Sequence, residues 1–525
     1  MATSTGLASA LSYQNWPASI YILLLSVLAV FIKIQWQPSF PKTAPKQIKE
    51  GYPLLGALRL FTSRADFFKE ALNHSNSGNF SFYFGKHRLV GMSGAEGRKT
   101  FFDSKDLNMS EGKLGTDEEP TGWNRYAVMF TASPQVGKQN EPGSASQFSQ
   151  WFSRTITKLM KKENFVRNLR LLTTDTATAL DAIVKNNGGQ KTGIFDPFDD
   201  IYHIVYQLTM RTVGATEIAD SPQLLARTLG LFEEVERNTS TTRIIFPWLP
   251  TLGYIRQTIA GGKLYVIFDK IAKERKKTGK THEDAFQFLM DTGEDIVRIL
   301  TFTLGALFAG QINSGINAGW LLCYLATHPE WYARIQGEVD AALARHRTSP
   351  SQTPAEVLAT LSLDDWEAEF PLIDLALRET IRFQLVGTAF RKNISGRDVA
   401  IGGSGEVVPR DGFALYLLDD VHFDPEVYTD PNEWDPGRFL PERAEDKKVP
   451  FGYLGWGVGR HPCLGMRFAK LEMSIIGALF VAMFDFQLYD DKGTRLSRAP
   501  FTSRNRHSAH KPDKQMRLKY TVRQH

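Results

Sequence analysis

Near the end of the chain the sequence reads Trp456-Gly457-Val458-Gly459-Arg460-His461-Pro462-Cys463-Leu464-Gly465. Cys463 is one of only two cysteines in 525 residues, and it stands at the threshold of an apolar segment. Leu464, Phe468, Leu471, Ile475 and Leu479 recur at helical spacing and mark one buried face. A thiolate at a helix N-terminus is stabilised by free N–H groups and by the positive end of the dipole. The glycines let the backbone approach a flat, rigid object where a Cβ would collide. Two readings fit: a thiolate that ligates a metal, for which haem iron accepts a single cysteine, or a buried free thiol beside a Gly-rich turn.

Composition narrows the class. A net charge of +5 is small for this length and gives no sign of a nucleic-acid partner. With only Cys323 and Cys463 there is no disulfide framework, which favours a reducing compartment. No charged residue occurs from Met1 to Ile32, and Ile20 to Ile32 is apolar except for Ser26. Trp16 and Trp36 bracket the run, and Lys33, Lys42, Lys46 and Lys49 follow it. Residues 1–36 therefore read as a segment with an uncleaved anchor helix over about 17–34, followed by a cytosolic domain. The rival, a cleaved signal peptide, lacks a basic leader and would place a free thiol in an oxidising space. Pro38, Pro41, Pro45 and Pro53 make residues 37–56 a stiff linker, which leaves 57–525 as one catalytic domain.

Within that domain, Arg64 to Leu72 predicts a helix, and Phe80–Phe84 with Arg88–Met92 predict a hairpin. Residues 104–146 are loop-like. Helical patterns run from Phe148 to about Ala215 with a break at 186–189, from Leu224 to Arg237, and from Gly253 to about Lys277. The basic run 273–277 is read as a solvated face. Between them, Ile244-Ile245-Phe246-Pro247-Trp248-Leu249-Pro250 is a loop that either tucks into the core or dips into a membrane beside the anchor. The stretch Ile299–Thr327 carries no charge, but Gly305, Gly310, Gln311, Asn313, Ser314, Gly315, Asn317 and Gly319 argue against lipid around it. It is read as a central helix whose polar, small-residue middle faces an internal cavity. Glu379 and Arg382 lie i,i+3 on one face of a helix from Pro371 to Phe383.

Taken in order, these motifs resemble the cytochrome P-450 family over essentially the whole chain. The family's Phe-x-x-Gly-x-Arg-x-Cys-x-Gly loop is matched by Trp456, Gly459, His461, Cys463 and Gly465. Glu379-Thr380-Ile381-Arg382 resembles its Glu-x-x-Arg, and Pro436-Gly437-Arg438-Phe439 its later Pro-x-Arg-Phe. Leu307 to Gln311 resembles its central helix, and His328-Pro329-Glu330 continues that likeness. The resemblance implies a mainly α fold with a small β-sheet region. It also implies haem b (iron protoporphyrin IX) with the Cys463 thiolate as axial ligand and metal-binding residue. His461 and Arg391 would serve as propionate partners, with Trp151 and Arg154 as weaker candidates. Glu379, Arg382 and Arg438 would form a buried triad that clamps the ligand loop. The implied activity is a monooxygenase in the endoplasmic reticulum membrane. It would take electrons from NADPH through a membrane NADPH–cytochrome P-450 reductase and oxidise a lipophilic substrate such as a terpenoid, steroid or other secondary metabolite. Residues 104–146, Ala306–Ser314, Leu385–Ala389 and Phe501 or Thr502 would line the substrate side.

One departure stands out. Where the family has an acid and then an alcohol that help deliver protons, this chain has Ile312-Asn313-Ser314. Sterol demethylases share the Ala-Gly-Gln start but keep Thr, whereas bile-acid hydroxylases and prostacyclin synthase place Asn at the alcohol position. The expectation is a relay of Gln311, Asn313, Ser314 and an ordered water. The alternatives are a haem-thiolate isomerase that needs no proton delivery, and a non-catalytic membrane haem sensor or carrier.

Overall fold

The computed structural model describes residues 18–34, 36–49, 52, 55–109, 145–238 and 251–524. The uncharged stretch after Asp295 folds as one helix, Ile296–Thr327, of 32 residues, or about 48 Å. Asp295 caps it, its carboxylate accepting the Arg298 N–H at 2.7 Å. By length and composition it is the one described helix that passes as a membrane span. Nearly every residue from Ile299 to Leu307 and from Ser314 to Leu325 is nonetheless buried by protein. Its small residues allow close approach. A Cβ at Gly319 would stand 2.5 Å from the Pro197 carbonyl oxygen, and one at Gly315 would stand 3.1 Å from the Tyr202 ring.

Around this helix pack Asp199–Val213, Pro371–Gln384 and Met466–Met483, and Lys162–Asn186 packs on the first and last of these; all share one large apolar core. A second core joins the central helix to Pro222–Arg237 and Leu252–Thr278. The basic run at 273–277 is not wholly a solvated face. Arg275 is buried, donating to Glu217 Oε1 at 2.9 Å and to Asp284 Oδ1 at 2.9 Å. Helical rotation turns that one member of the run inward onto two acids, so the guanidinium is paired where it is desolvated.

The β structure is peripheral. A five-stranded sheet runs in the spatial order Phe80–Phe84, His87–Met92, Phe413–Leu417, Thr388–Asn393, Leu107–Asn108, with the second and third strands parallel. The expected 80–92 hairpin pairs Phe80 with Gly91 through Phe84 with His87. After the break at 186–189 the chain forms a short strand, Thr192–Phe195, that the sequence did not signal. It is set by pairing with Met516–Val522, a contact more than 300 residues away, while its own Gly193 and lack of alternation hide it.

The proline-rich linker does not stand free as a spacer. Ile48 donates to the Ser81 carbonyl at 2.8 Å, Ser81 donates to the Lys46 carbonyl at 3.0 Å, and Tyr83 donates to the Pro38 carbonyl at 2.8 Å. It therefore covers the outer strand of the sheet and occupies an edge that would otherwise be open to pairing. The loop at 244–250 and most of 104–146 lie outside the described residues.

Two glycine substitutions separate packing from propensity. Gly319→Ala should destabilise the protein by about 1–3 kcal/mol through overpacking. Gly337→Ala, on an exposed helical turn with nothing within 4 Å of the added methyl, should stabilise it by about 0.5–1 kcal/mol. Denaturant melts of the two variants check the signs.

Candidate active site

The cysteine loop is shaped by two left-handed glycines. Gly457 has φ +65° and Gly459 has φ +61°; a Cβ on either would meet a carbonyl oxygen at 2.5 Å, that of His461 or of Phe102. The loop closes through the Cys463 N–H, which donates to the Trp456 carbonyl at 2.7 Å. The helix Met466–Met483 then begins, with Ala469 donating back to Gly465. Cys463 is exposed, as are Arg460, His461 and Leu464, although the elements on either side are buried. Protein packed around the loop still desolvates the sulfur in part and pushes the thiol up, and the Gly465 N–H pulls it back. Trp456 lies half-buried against the main core. The other cysteine, Cys323, is fully buried in the central helix, where desolvation raises its thiol far above the ordinary range. That makes it inert.

Behind the loop the triad is assembled in full. Arg382 holds Glu379 in a bidentate grip, with Nε to Oε2 at 2.8 Å and Nη2 to Oε1 at 2.8 Å. Arg438 donates its Nε to Oε1 at 3.0 Å. All three side chains are at most 1% exposed. A fourth member, Glu445, accepts from Arg438 Nη1 at 2.8 Å and from Arg443 Nη2 at 2.8 Å. The remaining guanidinium protons hold carbonyls along one loop: His422 and Pro431 from Arg382, Thr429 and Glu433 from Arg438.

His422 carries this order to the cysteine loop. Its carbonyl accepts from Arg382, and its Nε2 accepts the Leu454 N–H at 2.9 Å, two residues before Trp456. Burial, and after it Arg382, push His422 down to about 3, so the ring is neutral and Nε2 stays an acceptor. Neither Glu445 nor His422 stood out in the sequence. Both lie in the long stretch from Asp419 to Phe451, which is rich in Asp and Pro.

The middle of the central helix opens on one side. Ala309 and Asn313, one turn apart, are exposed in a helix otherwise enclosed. Asn313 Nδ2 donates to the Ala309 carbonyl at 2.8 Å, and Asn317 Nδ2 donates to the Asn313 carbonyl at 2.8 Å. Gln311 and Ser314 turn away from that side. Gln311 is fully buried and donates to the Tyr202 carbonyl at 2.6 Å. Ser314 is buried against the carboxyl of Glu472 on the helix after the cysteine. The three residues expected as one relay thus point in different directions, because consecutive helical positions are about 100° apart. Glu472, unmarked in the sequence, also accepts from Thr209 Oγ1 at 3.3 Å. Among the described residues no cation neutralises it, and burial pushes it up to about 8, so it is a neutral acid at pH 7.

The strand Thr388–Asn393 brings Arg391 to the same region. Arg391 is 6% exposed, donates only to the Phe390 carbonyl at 3.1 Å among the described residues, and lies over the Phe101 ring at 5.0 Å. With no carboxylate beside it among those residues, burial holds it down to about 10. His461 is lowered by burial and then by its neighbours Arg391 and Arg460. Trp151 takes no part here. Its Nε1 donates to Glu294 Oε1 at 2.8 Å, Arg298 stacks on its ring, and Arg154 is exposed.

The family model described as "Cytochrome P450" matches residues 47–509. The chain belongs to the cytochrome P450 family. It is 34% identical to cytochrome P450 monooxygenase AacuE of Aspergillus aculeatus over 89% of this chain and 90% of that one. It is 30% identical to cytochrome P450 monooxygenase dmxR5 of a Cryptosporiopsis species over 90% and 88%. Obtusifoliol 14-alpha demethylase of Sorghum bicolor is 28% identical over 57% of this chain and 60% of its own length. This P450 is accordingly a monooxygenase that carries haem b on a cysteine thiolate. The residues present fit that group. The two cations Arg391 and Arg460, with the His461 imidazole as a further donor, are without an acid among the described residues and suit the propionates. The glycine-lined approach to Cys463 suits a flat ring. When bound, the haem supplies oxygen activation, with electron donation from the thiolate favouring O–O cleavage.

Glu379→Gln should leave two buried guanidiniums underpaired, a cost of about 3–5 kcal/mol. The purified variant should lack most of its haem by pyridine haemochrome assay. His422→Ala, which orphans the Leu454 N–H, should cost about 1–3 kcal/mol and speed haem loss to apomyoglobin. A further expectation concerns Glu472. Its pKa is raised on folding, so the stability it gives is full below its unfolded value near 4.5 and lost as pH rises through about 8. Melting temperatures between pH 7 and 9 should fall for this P450 and fall less for Glu472→Gln.

Proposed function

We propose that this P450 inserts one atom of dioxygen into a lipophilic small molecule, a terpenoid, steroid or other secondary metabolite, with electrons from NADPH through a membrane-bound reductase. The observation that carries this reading is the exposed turn Ala309–Asn313, which presents one neutral amide beside carbonyls that are already hydrogen-bonded. An amide both donates and accepts, so Asn313 can orient an ordered water that carries the proton while the side chain itself stays neutral. Ser314 and Gln311 then act as positioning residues, fixing the turn to the helices behind it rather than meeting substrate. In this reading Leu385, Val386 and Ala389 would supply an apolar wall to the site, which would exclude water and suit a hydrophobic substrate.

The membrane part of the proposal rests on two surfaces. Helix Ala18–Ile34 exposes Tyr21, Ile22, Leu23, Leu24, Leu25 and Leu28 and ends at Lys33. Its 17 residues reach about 26 Å. On the helix Leu252–Thr278, Leu252, Ile255, Ile259 and Val266 form an exposed apolar stripe. Residues 1–36 would anchor the protein in the endoplasmic reticulum membrane, 37–56 would set its pose, and 57–525 would lie in the cytosol.

A second reading, rearrangement of an already oxidised substrate, draws on the same turn. With Ile312 packed against the core and Gln311 and Ser314 turned away, only Asn313 is left to move protons. Reconstitution separates the two. Monooxygenation requires NADPH and reductase, is abolished in Cys463→Ala, and consumes dioxygen in step with product. Turnover of a hydroperoxide or endoperoxide with no reductant would instead favour rearrangement. Deleting residues 1–36 should move most of the protein from the membrane pellet to the supernatant; retention in the pellet would assign the attachment to the apolar stripe.

A further inference from the structure

The loop of residues 500–510 crosses from the site to the first helices of the domain, and His507 stands at the crossing. Its Nδ1 faces Arg64 Nη1 at 2.9 Å, and its Nε2 faces the Phe61 carbonyl at 2.9 Å. A guanidinium only donates and a carbonyl only accepts. The ring is therefore the neutral tautomer with its proton on Nε2. Arg64 is 1% exposed, so the imidazole supplies a hydrogen-bond acceptor to a cation removed from water. Arg64 also reaches the Arg504 carbonyl at 3.5 Å. Next along the loop, Asn505 Oδ1 accepts the Ala65 N–H at 2.9 Å and so satisfies the start of the helix Arg64–Asn73.

The same loop touches the site. The His507 carbonyl presses on Gly387, where a Cβ would stand 2.8 Å away. Gly387 leads directly into the strand that carries Arg391. Thr502 Oγ1 donates to Gln384 Oε1 at 2.8 Å, and Gln384 Nε2 donates to Tyr324 of the central helix at 2.7 Å. Phe501, beside Thr502, is 56% exposed.

We propose that His507 is a positioning residue that latches the 500–510 loop to Arg64, and that protonation of its imidazole releases Phe501 and Thr502 from the wall of the site. The location of that wall rests on the monooxygenase reading; the latch itself does not. A proton on Nδ1 would set N–H against N–H and strip the buried Arg64 of its acceptor. The charges facing the ring are Arg64 from the first helix and Arg506 from its own loop, both positive. The nearby acid, Asp419, is engaged by Arg504 at 3.2 Å. Burial, and then those arginines, hold His507 below its ordinary 6.5. The stability given by the neutral ring is thus full above 6.5 and lost as pH falls through the lower folded value.

Backbone hydrogen exchange on the full-length holoprotein in detergent tests this, with rates over 500–510 corrected for intrinsic pH dependence. Protection in this loop should fall at least ~10-fold between pH 7.5 and 5. In His507→Gln, whose side-chain amide accepts and donates but does not titrate, it should change less than about 2-fold. His507→Ala should lack the protection at both pH values. Arg64→Gln, which keeps a donor but removes the charge, should move the midpoint to higher pH. Carbon monoxide rebinding after photolysis should quicken on the acid side in the unmodified protein and not in His507→Gln. Equal pH dependence in the His507→Gln variant, full protection in His507→Ala, or an unmoved midpoint in Arg64→Gln would each overturn the latch. A failed monooxygenase assay would leave these exchange rates unchanged, so the two ideas fail separately.

Discussion

One carboxylate, that of Glu379, has to be satisfied for the proximal half of this P450 to hold its shape. Fully buried, it accepts from Arg382, Arg438 and the Asp435 N–H. Two arginines around one acid would leave a surplus charge, and Glu445 takes it up from the far side of Arg438. Removing any one member strands the others in a low-dielectric interior, which is why such a cluster acts as a unit. The spare guanidinium protons turn this charge balance into geometry, since each fixes a carbonyl of the 422–433 loop.

From there the constraint passes to the cysteine loop without direct contact. His422 couples the arginines to Leu454, and Leu454 leads into the glycine turn that closes on Cys463. The design separates two demands. The cysteine loop has to stay open toward a large planar group, so it cannot be packed on that side. Its rigidity is supplied from behind, by buried ion pairs.

The central helix solves a related problem on the other side. Its two halves are locked by close packing, at Gly305 on one side and at Gly315 and Gly319 on the other, and the turn around Ala309 and Asn313 is left open. Gln311 and Ser314 tie that turn to Tyr202 and to Glu472. Because Glu472 lies on the helix that begins after Cys463, that helix and the central one share a buried hydrogen bond through Ser314. A change at one is felt at the other through packing and one neutral acid.

Much of this was legible in the chain. The Cys463 motif, the i,i+3 pair Glu379–Arg382, the uncharged central helix and the N-terminal apolar run are local patterns, and local patterns set which residues share a face. What the sequence could not supply was the partner across each interface. It did not show that Gln311 and Ser314 face neighbouring helices while Asn313 faces the opening, that Arg275 turns inward, or that the linker lies along a strand. Glu445, His422, Glu472 and His507 carry no motif at all. Spacing along the chain determines direction around a helix axis, but only the packing of distant segments decides what lies in that direction, and burial then decides which of those groups is charged.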